Sequence, residues 1–237
     1  MATDGLEGRV AVVTGALGNL GPVWTGALAA QGAEVYGIDV RAGGEGIIQA
    51  DVTDGPSLRR VLDQIGTPAI LVNNAGIDAP PGEVGEASFQ RTLEVNVAGV
   101  FNCTQVFGQA MCQAGRGSIV NIGSLYAGVA PIPAFYDHIE PPFVKPAAYG
   151  ASKAAVVNLT RYFARLWGPH GVRVNVLSPG GVRGGQDAEF VHKYSERVPL
   201  GRMAEPGDLV GALLFLASDA SAYVTGQELR VDGGFTA

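Results

Sequence analysis

The glycine-rich segment at residues 15–21 constrains this chain more than any other feature, because of what flanks it. Residues 9–14 form a short β-branched run typical of a buried strand, and residues 23–31 predict a helix with Pro22 in its first turn. Glycines between a strand and a helix permit a tight turn and let backbone N–H groups approach a phosphate at the positive end of the helix. The sequence therefore predicts a β-α-β nucleotide-binding unit at its amino end.

The second strand of this unit ends on a carboxylate. Residues 34–39 form an apolar run that terminates in Asp39. A carboxylate there can accept hydrogen bonds from both ribose hydroxyls of an adenosine and repels a 2′-phosphate, so the pattern indicates NAD, with NADP less favoured. Two alternatives stay open: Asp39 as a turn-forming residue, and Arg41 as a guanidinium that reaches a 2′-phosphate.

Tyr149 and Lys153 are four residues apart, so on a helix both side chains project from one face. An isolated tyrosine has a pKa of about 10, but a neighbouring cation favours the phenolate. The pair therefore predicts proton exchange with a substrate oxygen. The alternative is a chance pair on a solvated helix face.

Strands and helices alternate from end to end of the sequence. Predicted strands lie near residues 9–14, 34–39, 46–51, 69–73, 117–123, 172–177 and 227–231. Predicted helices lie near residues 20–31, 56–65, 86–113, 148–168, 187–196 and 206–217. Strands separated by helices pair in parallel. We therefore predict one α/β domain over residues 1–237, a doubly wound, mostly parallel seven-stranded sheet with helices on both faces.

A series of short segments, in this order, resembles the short-chain dehydrogenase/reductase family. The segments are residues 14–21, Asp39, residues 51–52, 73–76 and 96–99, Ser124, Tyr149 with Lys153, and residues 179–182. The resemblance implies an NAD(P)-binding Rossmann fold with variable substrate-binding segments at about residues 125–148 and 183–202. Two positions depart from the family pattern: Asn19 stands where the middle glycine is usual, and Gly184 stands where a threonine is frequent.

The resemblance also assigns roles to individual residues. The implied catalytic residues are Asn96, Ser124, Tyr149 and Lys153. The implied cofactor-binding residues are Gly15, Gly18, Asn19, Leu20, Gly21, Asp39, Asp51, Val52, Asn74, Ala75, Gly76, Tyr149, Lys153, Pro179, Gly180 and Val182. In oxidation, Tyr149 takes the hydroxyl proton while a hydride passes to the nicotinamide. Lys153 lowers the pKa of Tyr149, and Asn96 lies near a water that links Lys153 to solvent.

The interval between Ser124 and Tyr149 is longer than the family resemblance leads us to expect. It contains the aromatic residues Phe135, Tyr136 and Phe143, five prolines, and polar residues that include His138 and Lys145. A segment that combines aromatic and hydrogen-bonding side chains suits a polyol or sugar ring better than a long acyl chain. The candidate substrate-contacting residues are Ser124, Tyr126, Tyr136, His138, Tyr149 and Arg183. The alternative is a loop that contacts a neighbouring subunit. A weaker, narrower resemblance is to dehydrogenases of bacterial sugar and polysaccharide metabolism.

Net charge and sequence composition argue against several other kinds of function. The net charge is −6 without a basic run, which argues against nucleic acid, and the histidines and cysteines show no metal-ligand spacing. The chain shows neither an apolar signal core nor a membrane-spanning run, which predicts a cytoplasmic enzyme. Apolar residues 209–216 predict a homodimer or homotetramer.

We therefore expect an NAD-dependent alcohol dehydrogenase or carbonyl reductase acting on a small polar secondary alcohol. The alternatives are a 3-oxoacyl thioester reductase that uses NADPH and a nucleotide-binding regulatory protein without turnover.

Overall fold

A computed structural model describes residues 5–80, 83–140 and 145–237 of the chain. Its described strands form one seven-stranded sheet in the order β3-β2-β1-β4-β5-β6-β7, and every neighbouring pair is parallel. The strands are β1 Val10–Thr14, β2 Glu34–Asp39, β3 Ile47–Gln49, β4 Ile70–Asn73, β5 Gly117–Ile122, β6 Val172–Pro179 and β7 Glu228–Val231. The predicted fold class is confirmed, since the strands come from the predicted segments.

Helices cover both faces of the sheet. They are α1 Gly21–Ala30, α2 Gly55–Ile65, α3 Glu86–Leu93, α4 Val100–Ala114, α5 Ala147–Trp167, α6 Ala188–Ser195 and α7 Val210–Ala217. On one face, Phe107 of α4 and Trp167 of α5 pack against alternate strand residues; on the other, Trp24 of α1 and Leu213 of α7 do so. Successive strand residues point to opposite faces, so each strand contributes to both cores.

The prediction of one continuous helix over residues 86–113 was wrong. After α3 the chain forms a π-helical segment, Glu94–Gly99, before α4 begins. A π segment has a wider turn than an α-helix and occurs often at functional sites. Asn96 lies within it and is fully buried. The sequence signal for the break is Asn96 itself, since asparagine is disfavoured inside a helix unless its side chain or a local kink is used.

The sheet reverses its strand order between β1 and β4, which opens a crevice beyond their carboxyl ends. Gly15 begins the loop there with a φ of +63°, and a Cβ on it would lie only 2.7 Å from the Cα of Ala75. The hydroxyl of Thr14 accepts hydrogen bonds from the amides of Asn74 and Ala75, both at 3.0 Å. These contacts bind the glycine loop to the end of β4.

Asn19 causes no backbone strain in the glycine loop. Throughout the described ranges, all residues with positive φ are glycines, so Asn19 does not adopt the left-handed conformation. The departure from the family pattern is therefore compatible with the loop. Among the helices of these ranges, none is long and apolar enough to cross a membrane.

Candidate active site

The crevice between β1 and β4 widens into a cleft of about 650 Å³. Sequence-predicted residues that line it are Gly15, Gly18, Asn19, Leu20, Asp39, Asp51, Val52, Asn74, Ala75, Gly76, Ser124, Tyr126, Tyr136, Tyr149, Lys153 and Gly180. Residues more than 150 positions apart in sequence thus line one cleft, because the carboxyl ends of parallel strands lie at one edge of the sheet. The cleft is therefore the candidate active site.

Other predicted residues lie behind or beside the cleft rather than in its wall. Gly21 and Asn96 lie behind it: a Cβ on Gly21 would meet the carbonyl oxygens of Gly15 and Ala16 at 2.4 Å, so its glycine allows close packing of α1. Pro179 is buried at the end of β6, and Val182 packs against the core between the sheet and α1 and α7.

Asp39 is the charged group at the nucleotide end of the cleft, and only 6% of it is exposed. Its carboxylate accepts a hydrogen bond from the amide of Leu17 at 3.0 Å and others from the amide and Nε of Arg41, both at 3.1 Å. Burial raises the pKa of Asp39, but the hydrogen bonds from Arg41 and Leu17 outweigh it and leave the pKa below its usual value. Asp39 is therefore ionised at neutral pH.

Tyr149 and Lys153 lie on one face of α5, as their spacing predicts. The Lys153 Nζ is 5.5 Å from the centroid of the Tyr149 ring and donates to the carbonyl oxygen of Ile122 at 2.8 Å. Burial lowers the pKa of Lys153 to about 8. An amine with this pKa can lose or gain a proton near neutral pH.

The surroundings of Tyr149 oppose the effect on its pKa that is expected of Lys153. Burial raises the pKa of Tyr149 to about 12, the negative charge of Asp78 adds to this, and a hydrogen bond with Ser124 acts in the opposite direction. The Tyr149 side chain is half-buried in the cleft wall, and removal from water penalises the charged phenolate. The hydrogen bond with Ser124 favours the phenolate.

Asn96 supports this pair from behind. Its Oδ1 accepts a hydrogen bond from the amide of Ile77 at 2.7 Å, and its Nδ2 donates to the carbonyl of Ile77 at 2.8 Å and to the Ser152 hydroxyl at 3.0 Å. A Cβ on Gly76 would lie 3.2 Å from the Asn96 Oδ1 and 3.6 Å from the Lys153 Nζ. Asn96 thus joins the segment after β4 to the turn of α5 that carries Lys153.

The long segment after Ser124 packs against α6, which covers the cleft. Phe135 is buried among Phe190, Tyr194 and Phe235, with ring centroids 5.9, 5.6 and 6.3 Å away. Tyr136 lies next to Phe190 at 5.4 Å and contributes to the cleft wall. Pro141, Pro142 and Phe143 lie outside the described residues.

Two predicted substrate residues are not part of the cleft wall in the described structure. The Nε2 of His138 lies 2.9 Å from the carboxylate of Asp187 at the start of α6, and Arg183 pairs with Glu205 at 3.7 Å. Both side chains face ion-pair partners at the rim, which sequence alone could not show. The prediction that they contact substrate is therefore not supported by their positions.

The cleft wall also contains residues that sequence reasoning did not assign to the site. They are Ile38, Val40, Arg41, Ala50, Ile77, Asp78, Arg91, Val95, Ile122, Leu125, Lys145, Gly181, Gln186, Phe190, Tyr194 and Met203. Among them, Asp78 and Lys145 are charged residues that lie near Tyr149. The sequence signal for Asp78 was its position shortly after the Asn-Asn-Ala-Gly segment. Lys145 was one of the polar residues noted in the long segment before Tyr149.

A family model described as enoyl-(acyl carrier protein) reductase matches residues 20–236, nearly the whole chain. The chain belongs to the short-chain dehydrogenase/reductase family. This family assignment confirms the resemblance drawn from the sequence, and it makes the protein an oxidoreductase that interconverts an alcohol and its carbonyl compound.

Individual members of the family resemble the chain over almost their full length. It is 37% identical to the galactitol 2-dehydrogenase (L-tagatose-forming) of Cereibacter sphaeroides, covering 98% of this chain and 96% of that one. It is 35% identical to the D-threitol dehydrogenase of Mycolicibacterium smegmatis, covering 98% and 94%. The crystal structure of a short-chain dehydrogenase from Leptospira borgpetersenii with bound NAD+ superimposes with a TM-score of 0.89 at 31% identity, covering 99% and 95%.

The residues of this short-chain dehydrogenase/reductase fit a nicotinamide cofactor. Gly15 leaves no room for a side chain where the loop closes on β4, and the amino end of α1 points to the same place. Asp39, ionised and buried, is placed to accept ribose hydroxyls. Asp51, Ala75 and Gly76 continue the wall toward Tyr149. When bound, the cofactor supplies the hydride acceptor or donor.

Proposed function

We propose that this protein interconverts a small polyol- or sugar-like secondary alcohol and its ketone, with NAD preferred over NADP. The observation that carries the proposal is the meeting of Ser124, Tyr149 and Lys153 with a polar and aromatic wall in one cleft. Tyr126 and Tyr136 supply ring faces and hydroxyls there, which suit a hydroxyl-rich ligand. Galactitol and D-threitol dehydrogenases are among the relatives, and both names describe such substrates.

In this proposal the chain's own residues transfer the proton and position the substrate. The Ser124 hydroxyl and the Tyr149 phenol hold the reacting oxygen of the substrate. In the oxidation direction Tyr149 accepts the hydroxyl proton, and in reduction it returns one. Lys153 stabilises the phenolate that forms and, with its pKa of about 8, exchanges the proton onward. Asn96 keeps Lys153 in place through Ser152 and Ile77.

The cofactor preference is proposed from Asp39 and Arg41. The carboxylate holds the guanidinium, which is therefore not free to bind a 2′-phosphate without losing its ion pair. A phosphate at this place would also approach a buried negative charge. We propose accordingly that the adenosine ribose binds to Asp39, the adenine contacts the region of Asp51 and Val52, and Gly180 borders the nicotinamide end.

We also propose a cytoplasmic homo-oligomer, a dimer or a tetramer. Phe101 of α4 and Tyr162 and Leu166 of α5 are large apolar side chains left exposed on neighbouring helices. Exposed apolar groups that cluster on a surface favour association. Light scattering on the purified protein tests the assembly.

A turnover screen tests the proposed function. Sugar alcohols, ketoses and a 3-oxoacyl thioester are each offered with NAD(H) and NADP(H), and absorbance at the nicotinamide band follows the reaction. We expect the highest kcat/KM for a polyol with NAD. A preference for the thioester with NADPH would instead favour the reductase alternative, and binding of NADH without any turnover would favour a regulatory protein.

A further inference from the structure

Asp78 and Lys145 form an ion pair inside the cleft, beside the proposed general acid/base. Asp78 lies in the segment that follows β4, and Lys145 lies two residues before α5. The Lys145 Nζ is 5.2 Å from the centroid of the Tyr149 ring and 5.9 Å from that of Tyr126. It is therefore as close to the Tyr149 ring as Lys153 is.

The pair combines partial burial with access to a ligand. About 18% of the Lys145 side chain and 32% of the Asp78 side chain are exposed. A carboxylate has about four acceptor positions and an ammonium has three N–H donors, so their mutual contact leaves hydrogen-bonding capacity on both. Asp78 lines the same cleft as Tyr126, Tyr136 and Tyr149. Its negative charge contributes to raising the pKa of all three phenols.

A polyol is matched to this arrangement. Each of its hydroxyls both donates and accepts, so a pair of neighbouring hydroxyls can donate to the carboxylate and accept from the ammonium at once. The face of the Tyr126 ring can cover the C–H groups between them. The pair as a whole carries no net charge, so it offers no net attraction to a substrate carboxylate. Such a carboxylate would meet Lys145 as an opposite charge and Asp78, whose side chain is the more exposed of the two, as a like charge.

We propose that Asp78 and Lys145 bind hydroxyls next to the reacting carbinol and select an uncharged polyol over a sugar acid. This inference rests on the proposed function and names the substrate class of the same site. The pair acts in binding, whereas Ser124, Tyr149 and Lys153 act on the reacting oxygen.

The test compares an uncharged alditol with the aldonate of the same carbon chain, galactitol and galactonate, in wild type, Asp78→Asn, Lys145→Met and a control. For the wild type we expect kcat/KM to be at least about tenfold higher for the alditol. Asp78→Asn leaves the cation uncompensated and should move the preference toward the aldonate by roughly tenfold. Lys145→Met leaves the carboxylate alone; it should raise KM for the alditol roughly tenfold and disfavour the aldonate further.

Lys193→Met is the matched control. Lys193 also pairs with a carboxylate of the long segment, Asp137, but it does not line the cleft. It removes the same charge from the same side of the molecule, so its alditol-to-aldonate ratio should stay within about twofold of wild type.

The outcomes separate the two proposals. If the wild type oxidises no polyol, the proposed function fails. If it oxidises polyols but prefers the aldonate, the role of the pair is overturned. The same holds if folded Asp78→Asn and Lys145→Met enzymes keep the wild-type ratio and lose only thermal stability, because the pair would then serve the structure alone.

Discussion

The carboxylate of Asp39 binds the side chain of Arg41, with Nε 3.1 Å from Oδ1. The two residues stand at the end of β2, where the adenosine ribose of a nucleotide is proposed to lie. Asp39 is almost fully buried, whereas about 60% of the Arg41 side chain is exposed. The acid thus restrains the only nearby cation that sequence analysis had suggested for a 2′-phosphate.

The preference for NAD over NADP should weaken when Asp39 is removed from this pair. In Asp39→Ala the repulsion is lost and the Arg41 guanidinium is released, so kcat/KM with NADP should rise relative to NAD by at least about tenfold. Steady-state kinetics with both cofactors measures this ratio. In the control Asp39→Ala/Arg41→Ala the gain should be largely absent. A wild type that prefers NADP would contradict the proposed role of Asp39.

Tyr149→Phe should abolish turnover while leaving cofactor affinity within a few fold. The substitution removes only the oxygen that exchanges the proton, and loss of a general acid/base typically costs a factor of 10² to 10⁴ in rate. Single-turnover kinetics and NADH fluorescence titration measure the two effects. Tyr126→Phe, which keeps the neighbouring ring in the cleft, is the control and should retain turnover. Loss of binding equal to the loss of rate would refute the assignment.

Asn96→Ala should destabilise the protein and lower kcat together. It removes the hydrogen bonds that the fully buried Asn96 side chain makes to the amide and carbonyl of Ile77 and to the buried Ser152 hydroxyl, at a cost of about 1–3 kcal/mol. Urea denaturation measures this loss. The control Asn102→Ala removes only hydrogen bonds to the carbonyls of Val52 and Thr53. It should leave kcat near wild type, and an equal fall in kcat for both variants would argue against a specific role for Asn96.

The buried amine of Lys153 should make stability depend on pH in a defined window. Its folded-state pKa of about 8 lies below the ordinary value of 10.5, so between these pH values the unfolded chain binds more protons. Stability should therefore rise with pH across this window, by up to roughly 3 kcal/mol. Tyr149 acts oppositely, but only above pH 10, since its pKa is raised to about 12.

Denaturation of wild type and Lys153→Met at pH 7.5 and 9.5 isolates the contribution of Lys153. The wild type should gain stability relative to the variant as the pH rises. A difference between the two proteins that stays constant over this interval would show that the amine is not held below its ordinary pKa.

Substitutions of Tyr136 and His138 should distinguish a residue that contacts the substrate from one that only packs within the long segment. Tyr136→Ala opens the cleft wall and should raise KM for the substrate several fold, with NAD affinity little changed. His138→Ala removes a contact to Asp187 at the rim and should leave KM near wild type. Michaelis kinetics on the polyol found by the screen checks both. An equal rise of KM in the two variants would show that His138 contacts the substrate after all.

Much of the fold followed from local patterns. The strand, glycine loop and helix at the amino end are confirmed because apolar period and glycine position act over a few residues. Pro22 lies in the first turn of α1 and β2 ends at Asp39, as the sequence predicted. The shared helix face of Tyr149 and Lys153 was likewise predicted, since it needed only their spacing of four residues on α5.

Tertiary structure alone decided the contacts between distant segments. The break at Asn96 depends on Ile77 and Ser152, which pair with its side chain from other elements. Asp78 and Lys145 are 67 positions apart in sequence, with α3, α4 and β5 between them. They meet because the segment after β4 and the start of α5 lie at one edge of the sheet. His138 lies at the rim of the cleft, with its Nε2 2.9 Å from the carboxylate of Asp187, the residue that precedes α6. Burial reversed the expected pKa shift of Tyr149, because the penalty for charging a phenol depends on its surroundings in three dimensions rather than on its spacing from a lysine.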